Sequence, residues 1–310
     1  MILRLKMPLL FLLFFFQFLE AGSDDSLFVL EKKYQEIAEQ AIEKTMLQDY
    51  KSAIQLIKKI EEKNDGVACI LESIILISRF DDLGDTLDLI KASKKLGLCK
   101  TEGAWNAVRN YELGFVQSQL GHSIKGVITT RNAANYFKKS KDINAKAFFS
   151  IYGYYFDNSL SFLPFVSDER DYYLKVLKEA SIKSYLFWPL FSTSLIWIYY
   201  DREEFKKALE ITESVLKRYP KNSVFLQIKS DMLYKLKRYD EAIDIYLASA
   251  QEYEKKTGYS IRYWCAVANL VKIYRDQGNL NQSNIWKQKL SNDSFESIKK
   301  WIAPSVLEDL

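Results

Sequence analysis

An internal repeat of 34 residues constrains the fold of this 310-residue chain more than any other feature. An aromatic residue followed three positions later by alanine occurs at Phe205 and Ala208 and again, 34 residues on, at Tyr239 and Ala242. From Phe205 to Tyr219 the apolar residues recur at helical spacing and form one stripe. One pair of helices cannot bury such a stripe alone, so stacked neighbours must complete a shared core. The sequence therefore predicts an all-α chain of antiparallel helix hairpins.

These residues resemble the tetratricopeptide repeat family, whose two antiparallel helices pack through a small residue at this position. The matching positions are Tyr199, Phe205, Ala208 and Pro220 in the first repeat and Ser230, Tyr239, Ala242 and Tyr246 in the second. A third repeat places Ser283 in the small-residue position, 41 residues after Ala242, which indicates a seven-residue insertion near residues 251–259. The resemblance covers residues 186–290 well and 26–140 in outline. It implies a right-handed superhelical solenoid.

The predicted organisation is one continuous solenoid with weaker repeats towards the N-terminus. Residues 24–156 form a degenerate helical-repeat region, and residues 169–310 form the region similar to tetratricopeptide repeats. Between them, residues 157–168 are predicted to be a loop because the sequence from Asn158 to Phe165 lacks helical periodicity.

The first 23 residues have the pattern of a signal peptide. Arg4 and Lys6 precede an apolar run from Met7 to Leu19, and small residues stand before a cleavage site at Asp24. The apolar run is too short to cross a bilayer, which requires about 20 residues. An uncleaved anchor is the alternative interpretation. We therefore expect the chain to be exported, either to a periplasm or as a secreted protein, with membrane contact only through an uncleaved signal segment.

A second uncharged stretch, residues 184–200, reaches the lower limit of membrane-spanning length. It contains Pro189 and three consecutive hydroxyl residues, and an amphipathic helix in register with the repeat follows it. We expect a helix that is buried within the protein.

Cysteine, histidine and charge exclude several classes of function. The chain contains one histidine, His122, which excludes a metalloprotease histidine pair and makes a mixed Cys and His zinc site or a Ser-His-Asp triad unexpected. Cys69 and Cys99 either pair in an oxidising compartment or, like Cys265, are small buried side chains, and the sequence leaves both alternatives open. The pair Asp81–Asp82 is expected on a solvated helix end. No cofactor, metal site or catalytic residue is predicted, and the chain is not expected to be an enzyme.

The charge balance makes nucleic acid an unexpected partner, because 44 basic residues are interspersed with 40 acidic ones. Aromatic residues are concentrated between Phe148 and Tyr200, where 17 of them occur in 53 residues. They either fill the core between hairpins or line a groove for a peptide or a small ligand.

The resemblance also implies a binding face, because ligands of such repeats contact fixed positions on the first helix of each hairpin. The corresponding residues are Thr193, Trp197, Tyr200, Gln227, Asp231, Tyr234, Lys272 and Arg275. Aromatic residues beside Lys272 and Arg275 suit a peptide that carries an acidic group. The leading hypothesis is a non-catalytic adaptor or scaffold for another protein. The alternative is a small-ligand or solute-binding accessory protein that uses residues 148–200.

Overall fold

The computed structural model describes residues 27–28, 30–61, 65–161, 168–257 and 260–291, together with residues 295, 296, 299, 302 and 307. The signal-peptide prediction therefore lies outside the described residues. Within them the chain forms 14 helices and no strand. The helices are α1 (Lys32–Met46), α2 (Tyr50–Glu61), α3 (Asp65–Leu83), α4 (Thr86–Leu98), α5 (Gly103–Gln119), α6 (Ser123–Phe137), α7 (Ile143–Leu160), α8 (Arg170–Lys183), α9 (Trp188–Asp201), α10 (Phe205–Arg218), α11 (Ser223–Lys235), α12 (Tyr239–Thr257), α13 (Ile261–Asp276) and α14 (Leu280–Lys289).

Consecutive helices pack as hairpins, and neighbouring hairpins pack on one another. Pairs such as α1–α2, α5–α6, α11–α12 and α13–α14 are in contact within hairpins, and α10–α11 and α12–α13 are in contact between them. The predicted all-α solenoid of helix hairpins is confirmed.

Five hairpins share one turn geometry that the sequence did not reveal. The turn has three residues, and its middle residue has positive φ in every case: Gln48, Gly121, Glu203, Lys237 and Gly278. The amide of the third turn residue donates to the carbonyl five residues earlier, as from Arg238 to Leu233. This Schellman pattern satisfies the last carbonyls of the first helix. It also gives each of these hairpins the same offset between its two helices.

Small residues allow the two helices of a hairpin to approach closely. Ala208 and Ala242 are fully buried, and Ser283 is buried in the third repeat. In the α5–α6 hairpin, a Cβ atom added to Gly126 would lie 2.5 Å from the carbonyl oxygen of Gly114. A larger residue at either glycine would therefore force the helices apart.

Two irregular segments were predicted from the sequence, an insertion near residues 251–259 and a loop at residues 157–168. The inserted residues lengthen helices, because α12 has 19 residues and α13 has 16, compared with 14 in α10 and 13 in α11. The predicted loop at 157–168 is wrong for its first four residues, which form the last turn of α7. Leu160 is apolar, and α7 continues through it. Residues 162–167 lie outside the described residues.

The chain divides into two compact units, which are described separately. The C-terminal unit contains Ser78–Thr86 and Ile196–Leu310, and the N-terminal unit contains the described residues up to Ile77 together with Leu87–Leu195. The end of α3 thus belongs to the C-terminal unit.

The N-terminal unit is built on an aromatic core. Phe148 is fully buried, with ring centroids 5.1 Å from Phe187, 5.3 Å from Phe191 and 5.6 Å from Phe137. Phe28 and Trp105 extend this cluster. Such pairs add to the stabilisation that burial of the rings already gives.

Two cysteines are joined in the N-terminal unit. Cys69 and Cys99 form a disulfide with Cα atoms 5.7 Å apart, which links α3 to the residue after α4. Cys265 is buried in α13 of the C-terminal unit and is not part of this disulfide. The structure thereby selects the paired alternative for Cys69 and Cys99.

The uncharged stretch at 184–200 becomes α9, a helix whose Leu195, Ile196 and Ile198 are fully buried. Among the helices that the structure describes, none is both long and apolar enough to cross a membrane.

Candidate functional site

The residues predicted to bind a partner occupy equivalent positions in three consecutive hairpins. The turn-end row consists of Tyr200, Tyr234 and Arg275, each five residues before the second helix of its hairpin. The middle row consists of Trp197, Asp231 and Lys272, each eight residues before that helix. Thr193 and Gln227 lie twelve residues before it. Thr193 belongs to the N-terminal unit, whereas the other seven residues belong to the C-terminal unit.

The insertion does not disturb this register. The additional residues lie in α12 and α13, after the second turn and before the α13–α14 turn. Since the α13–α14 turn has the same three-residue geometry as the two preceding turns, Lys272 and Arg275 keep their offset from α14. The third repeat therefore stays in phase with the first two.

Exposure of these residues increases towards the turns in α11 and α13, whereas Thr193 of α9 is already half-buried. Gln227 and Lys272 are buried, with 1% and 7% of their surface exposed. Trp197, Asp231, Tyr200 and Tyr234 are half-buried, and Arg275 is exposed. The accessible part of the predicted site is therefore the turn-end row with Trp197 and Asp231 behind it.

The buried residues of α11 are bonded to α13. The amide nitrogen Nε2 of Gln227 donates to the carbonyl oxygen of Arg262 at 3.0 Å, and its Oε1 accepts from the Arg262 guanidinium at 3.1 Å. Nδ2 of Asn269 donates to Oδ1 of Asp231 at 3.2 Å. These bonds hold the first helices of two successive hairpins together, so Gln227 has a structural role in addition to any role in binding.

Asp231 lies at the centre of a buried polar group. The Tyr246 hydroxyl donates to its Oδ1 at 2.5 Å. Burial raises the pKa of the Asp231 carboxyl, although the Tyr246 hydrogen bond opposes that shift. Burial and the neighbouring Asp231 carboxylate raise the pKa of Tyr246 well above its ordinary value. Tyr246 therefore stays a hydrogen-bond donor that fixes the Asp231 side chain.

Aromatic rings form a ladder along the turn ends. The Trp197 and Tyr200 ring centroids are 5.5 Å apart, and the Tyr200 and Phe205 centroids are 5.4 Å apart. In the next hairpin, Tyr234 and Tyr239 repeat the second contact at 6.1 Å. The 34-residue period of the sequence is thus seen in the structure as two equivalent ring pairs, Tyr200–Phe205 and Tyr234–Tyr239.

A lysine joins the two ring pairs. The Lys235 ammonium lies 5.8 Å from the Tyr200 ring centroid and 6.0 Å from that of Tyr234, within the range of a cation–π interaction. The Tyr234 hydroxyl donates to Oδ2 of Asp276 at 2.7 Å. Burial and this carboxylate raise the Tyr234 pKa, so the phenol is neutral at physiological pH. The ladder is therefore an apolar surface with one cation beside its rings.

A second polar group in the C-terminal unit was missed by the sequence analysis. Asp82 is fully buried, and its Oδ1 accepts from the Tyr253 hydroxyl at 2.6 Å and from the Ser223 hydroxyl at 3.2 Å. The expectation that Asp82 lies on a solvated helix end is therefore wrong. The Arg262 guanidinium donates to the carbonyl oxygen of Asp81 and joins this group to Gln227. Burial and the Asp82 carboxylate raise the Tyr253 pKa well above its ordinary value.

Some buried nitrogen atoms of the C-terminal unit have no hydrogen-bond partner among the described residues. They include Nη2 of Arg262 and the indole nitrogen Nε1 of Trp197. An unsatisfied buried donor is unfavourable by about 1–3 kcal/mol.

The described residues form neither a metal-ligand cluster nor a reactive thiol. They contain no group of three or more His, Cys, Asp or Glu side chains that would hold a metal ion. Burial raises the pKa of the Cys265 thiol to about 11, so the thiolate that would react is absent at neutral pH.

The aromatic region at 148–200 divides between the core of the N-terminal unit and the ladder. Phe148, Tyr154, Tyr173, Phe187 and Phe191 are buried and fill the core of the N-terminal unit. Trp197 and Tyr200 are half-buried and belong to the ladder. Phe162 and Phe165 lie outside the described residues.

No family model matches the sequence, and no curated protein matches it either. Solved structures with a similar arrangement include the crystal structure of NprR in complex with its cognate peptide NprX. That similarity has 14% identity and a TM-score of 0.46, and covers 87% of this chain and 82% of that one. Another is the apo form of RapI, with 15% identity, a TM-score of 0.39 and coverage of 87% and 80%.

Proposed function

We propose that this chain is a non-catalytic helical-repeat protein that binds a segment of another protein through the ladder of α9 and α11 and through Arg275 of α13. The observation that carries the proposal is the pair of equivalent aromatic contacts joined by Lys235. Half-buried Trp and Tyr rings are the residues that most often dominate binding at protein interfaces.

The chemistry of the ladder indicates the kind of segment that fits. The rings offer apolar faces, and Lys235 and Arg275 offer positive charge. An extended segment with an apolar side chain and an acidic group would satisfy both. The protein would then act as an adaptor or scaffold.

Export belongs to the same proposal. The basic residues, apolar run and small residues of 1–23 support cleavage before Asp24. A disulfide between Cys69 and Cys99 is compatible with an oxidising compartment. N-terminal sequencing of the protein from fractionated cells tests this part. We expect Asp24 as the first residue in the exported fraction, and an intact Met1 in the cytosol would contradict it.

Partner binding is tested by cross-linking and capture of the tagged protein from its native cells. The variant is the double substitution Trp197→Ala, Tyr234→Ala. The matched control, Tyr172→Ala, Trp286→Ala, removes one Trp and one Tyr from other helices, α14 and α8. We expect a captured protein to be lost from the first variant and retained by the second.

Two results would contradict the proposal. Equal retention of the partner by both variants would remove the ladder from the interface. Failure of the wild-type protein to capture any partner would favour the alternative of a small-ligand accessory protein.

A further inference from the structure

Charge is distributed unevenly in the N-terminal unit. Residues 87–146 contain eleven Lys and Arg but only four Asp and Glu, a net charge of +7 compared with +4 for the whole chain. Three of these acids, Asp88, Glu112 and Asp142, are buried. Glu102 is the exposed acid of this segment. The solvent-facing side of residues 87–146 is therefore strongly basic.

Helix α4 exposes apolar side chains among its lysines. Leu87, Ile90, Lys91, Lys94 and Leu98 are all exposed and follow one another at helical spacing along one side. The exposed fractions are 55% for Leu87, 51% for Ile90 and 69% for Leu98. A surface helix that packs on a core usually has charged and polar residues on this side. The α4 stripe instead alternates aliphatic side chains with lysine.

Helix α6, the second helix of the next hairpin, has the same character. Ile124 and Ile128 are exposed by 62% and 54%, and Lys125 beside them is also exposed. Arg131 follows on the same helix and is half-buried.

The composition of the α4 stripe is not general in this chain. In the C-terminal unit, α12 has exposed acids at Asp240, Glu241, Asp244, Glu252 and Glu254. Five of the ten exposed large apolar side chains among the described residues lie on α4 and α6, and neither helix exposes an acid. Helix α8 also exposes Ile182 beside lysines, but the acids Asp171 and Glu179 of that helix are exposed as well.

We propose that the outer sides of α4 and α6 form a docking face for an anionic membrane surface. Aliphatic side chains enter the boundary between headgroups and acyl chains, while lysines extend their ammonium groups to lipid phosphates. Such binding is peripheral and needs no spanning helix.

Lipid fits this face better than an acidic protein does. Protein interfaces are enriched in Trp, Tyr and Arg and depleted in Lys, and their binding energy resides in a few such anchors. The α4 stripe contains only Leu, Ile and Lys. Aliphatic residues flanked by lysine are the pattern of helices that lie in a membrane interface.

This inference goes beyond the proposed partner binding and uses different residues. It also extends the sequence-based expectation, which allowed membrane contact only through residues 1–23. The two proposals fail separately, because the ladder lies in the C-terminal unit and the docking face in the N-terminal unit.

Vesicle co-sedimentation tests the proposal on the chain as cells produce it. The vesicles contain either phosphatidylglycerol with phosphatidylcholine or phosphatidylcholine alone. The variant is Lys91→Glu, Lys94→Glu, and the matched control is Lys206→Glu, Lys217→Glu, which changes two exposed lysines of α10 by the same charge. Each lysine near an anionic surface contributes about fivefold in affinity. We expect at least about a tenfold loss for the α4 variant and less than about a twofold change for the control.

A second variant separates lipid from an acidic protein partner. Ile90→Asn, Leu98→Asn removes two exposed aliphatic side chains, so the fold, followed by circular dichroism, should be retained. We expect weaker binding to the anionic vesicles. Soluble polyglutamate serves as a probe of charge alone and should bind the wild type more weakly than the vesicles do.

Three outcomes would overturn the assignment. They are an equal loss in both lysine variants, equal binding to the two kinds of vesicle, and polyglutamate binding that matches vesicle binding while Ile90→Asn, Leu98→Asn has no effect. The last outcome would assign the face to an acidic protein.

Discussion

The two compact units are both built from helical hairpins, and each contains a buried cluster of different chemistry. The N-terminal unit packs Phe137, Phe148, Phe187 and Phe191 ring against ring. The C-terminal unit buries Asp82, whose carboxylate accepts hydrogen bonds from two hydroxyl groups. Apolar rings need only volume and contact, whereas buried polar groups each need a partner. The difference teaches that the repeat specifies only the helix hairpin. The residues that lie between hairpins decide whether the interior of a unit is apolar or hydrogen-bonded.

The largest effect is expected in the aromatic core. Phe148→Ala removes a fully buried ring that contacts three other phenylalanines. We expect the free energy of unfolding to fall by about 3–5 kcal/mol, because transfer energy is lost and a cavity remains. Urea unfolding measures this change. A loss below about 1 kcal/mol would show that the N-terminal unit does not depend on this cluster.

Glu112 tests whether a buried carboxyl is tolerated in the N-terminal unit. Burial raises the pKa of Glu112 to about 7, above its ordinary value of 4.5. The folded state thus binds a proton at Glu112 more tightly than the unfolded state does. The stability that the protonated Glu112 contributes is fully present below pH 4.5 and is lost as the pH rises to about 7.

Glu112→Gln should remove this pH dependence. We expect the variant to be more stable than the wild type by up to about 3 kcal/mol at pH 8 and nearly equal to it at pH 4. Thermal unfolding across this pH range measures the difference. An equal shift at both pH values would contradict the assigned cause.

Asp82 provides the opposite case in the C-terminal unit, because its carboxylate is satisfied by Tyr253 and Ser223. Asp82→Ala leaves the Tyr253 hydroxyl without this acceptor, and we expect a loss of about 1–3 kcal/mol. The companion variant Tyr253→Phe removes one donor and should be less destabilising. If Asp82→Ala stabilises the protein in urea unfolding, the network does not contribute to the fold.

The smallest effect concerns a turn geometry common to both units. Lys237 has a φ of 60° and Gln48 one of 61°, the left-handed conformation that glycine adopts without penalty. Lys237→Gly and Gln48→Gly should each raise the free energy of unfolding by up to about 1 kcal/mol. Thermal unfolding of both variants provides the comparison. Destabilisation by either one would show that the lysine or glutamine side chain contributes more than the backbone strain.

The sequence was sufficient to predict the features that recur along the chain. It was insufficient to predict contacts between residues that are far apart in the sequence. The 34-residue period predicted the helix hairpins and the close-packed positions of Ala208 and Ala242, because helical spacing is a local property. Both alanines are fully buried. Asp82 was misjudged, because its partners Ser223 and Tyr253 are 141 and 171 residues away. The positive φ of Lys237 was missed because no glycine marks that turn.

The candidate site was predictable in position but not in environment. The family resemblance placed Tyr200, Tyr234 and Arg275 in equivalent positions of three hairpins. It did not indicate that Gln227 and Lys272 are buried, because burial depends on contacts made by neighbouring helices. Lys235, which lies between the rings, was not among the predicted residues. Its position next to Tyr234 at the end of α11 could have suggested it.

Site-specific photocross-linking tests the central claim that the ladder binds another protein. A benzophenone amino acid replaces Tyr234 in one protein and Tyr172, an exposed residue of α8, in the control. After irradiation in native cells, we expect a single cross-linked protein from position 234 and none from position 172. The same cross-linked protein from both positions in equal yield, or from position 172 alone, would contradict the assignment of the ladder as the binding face.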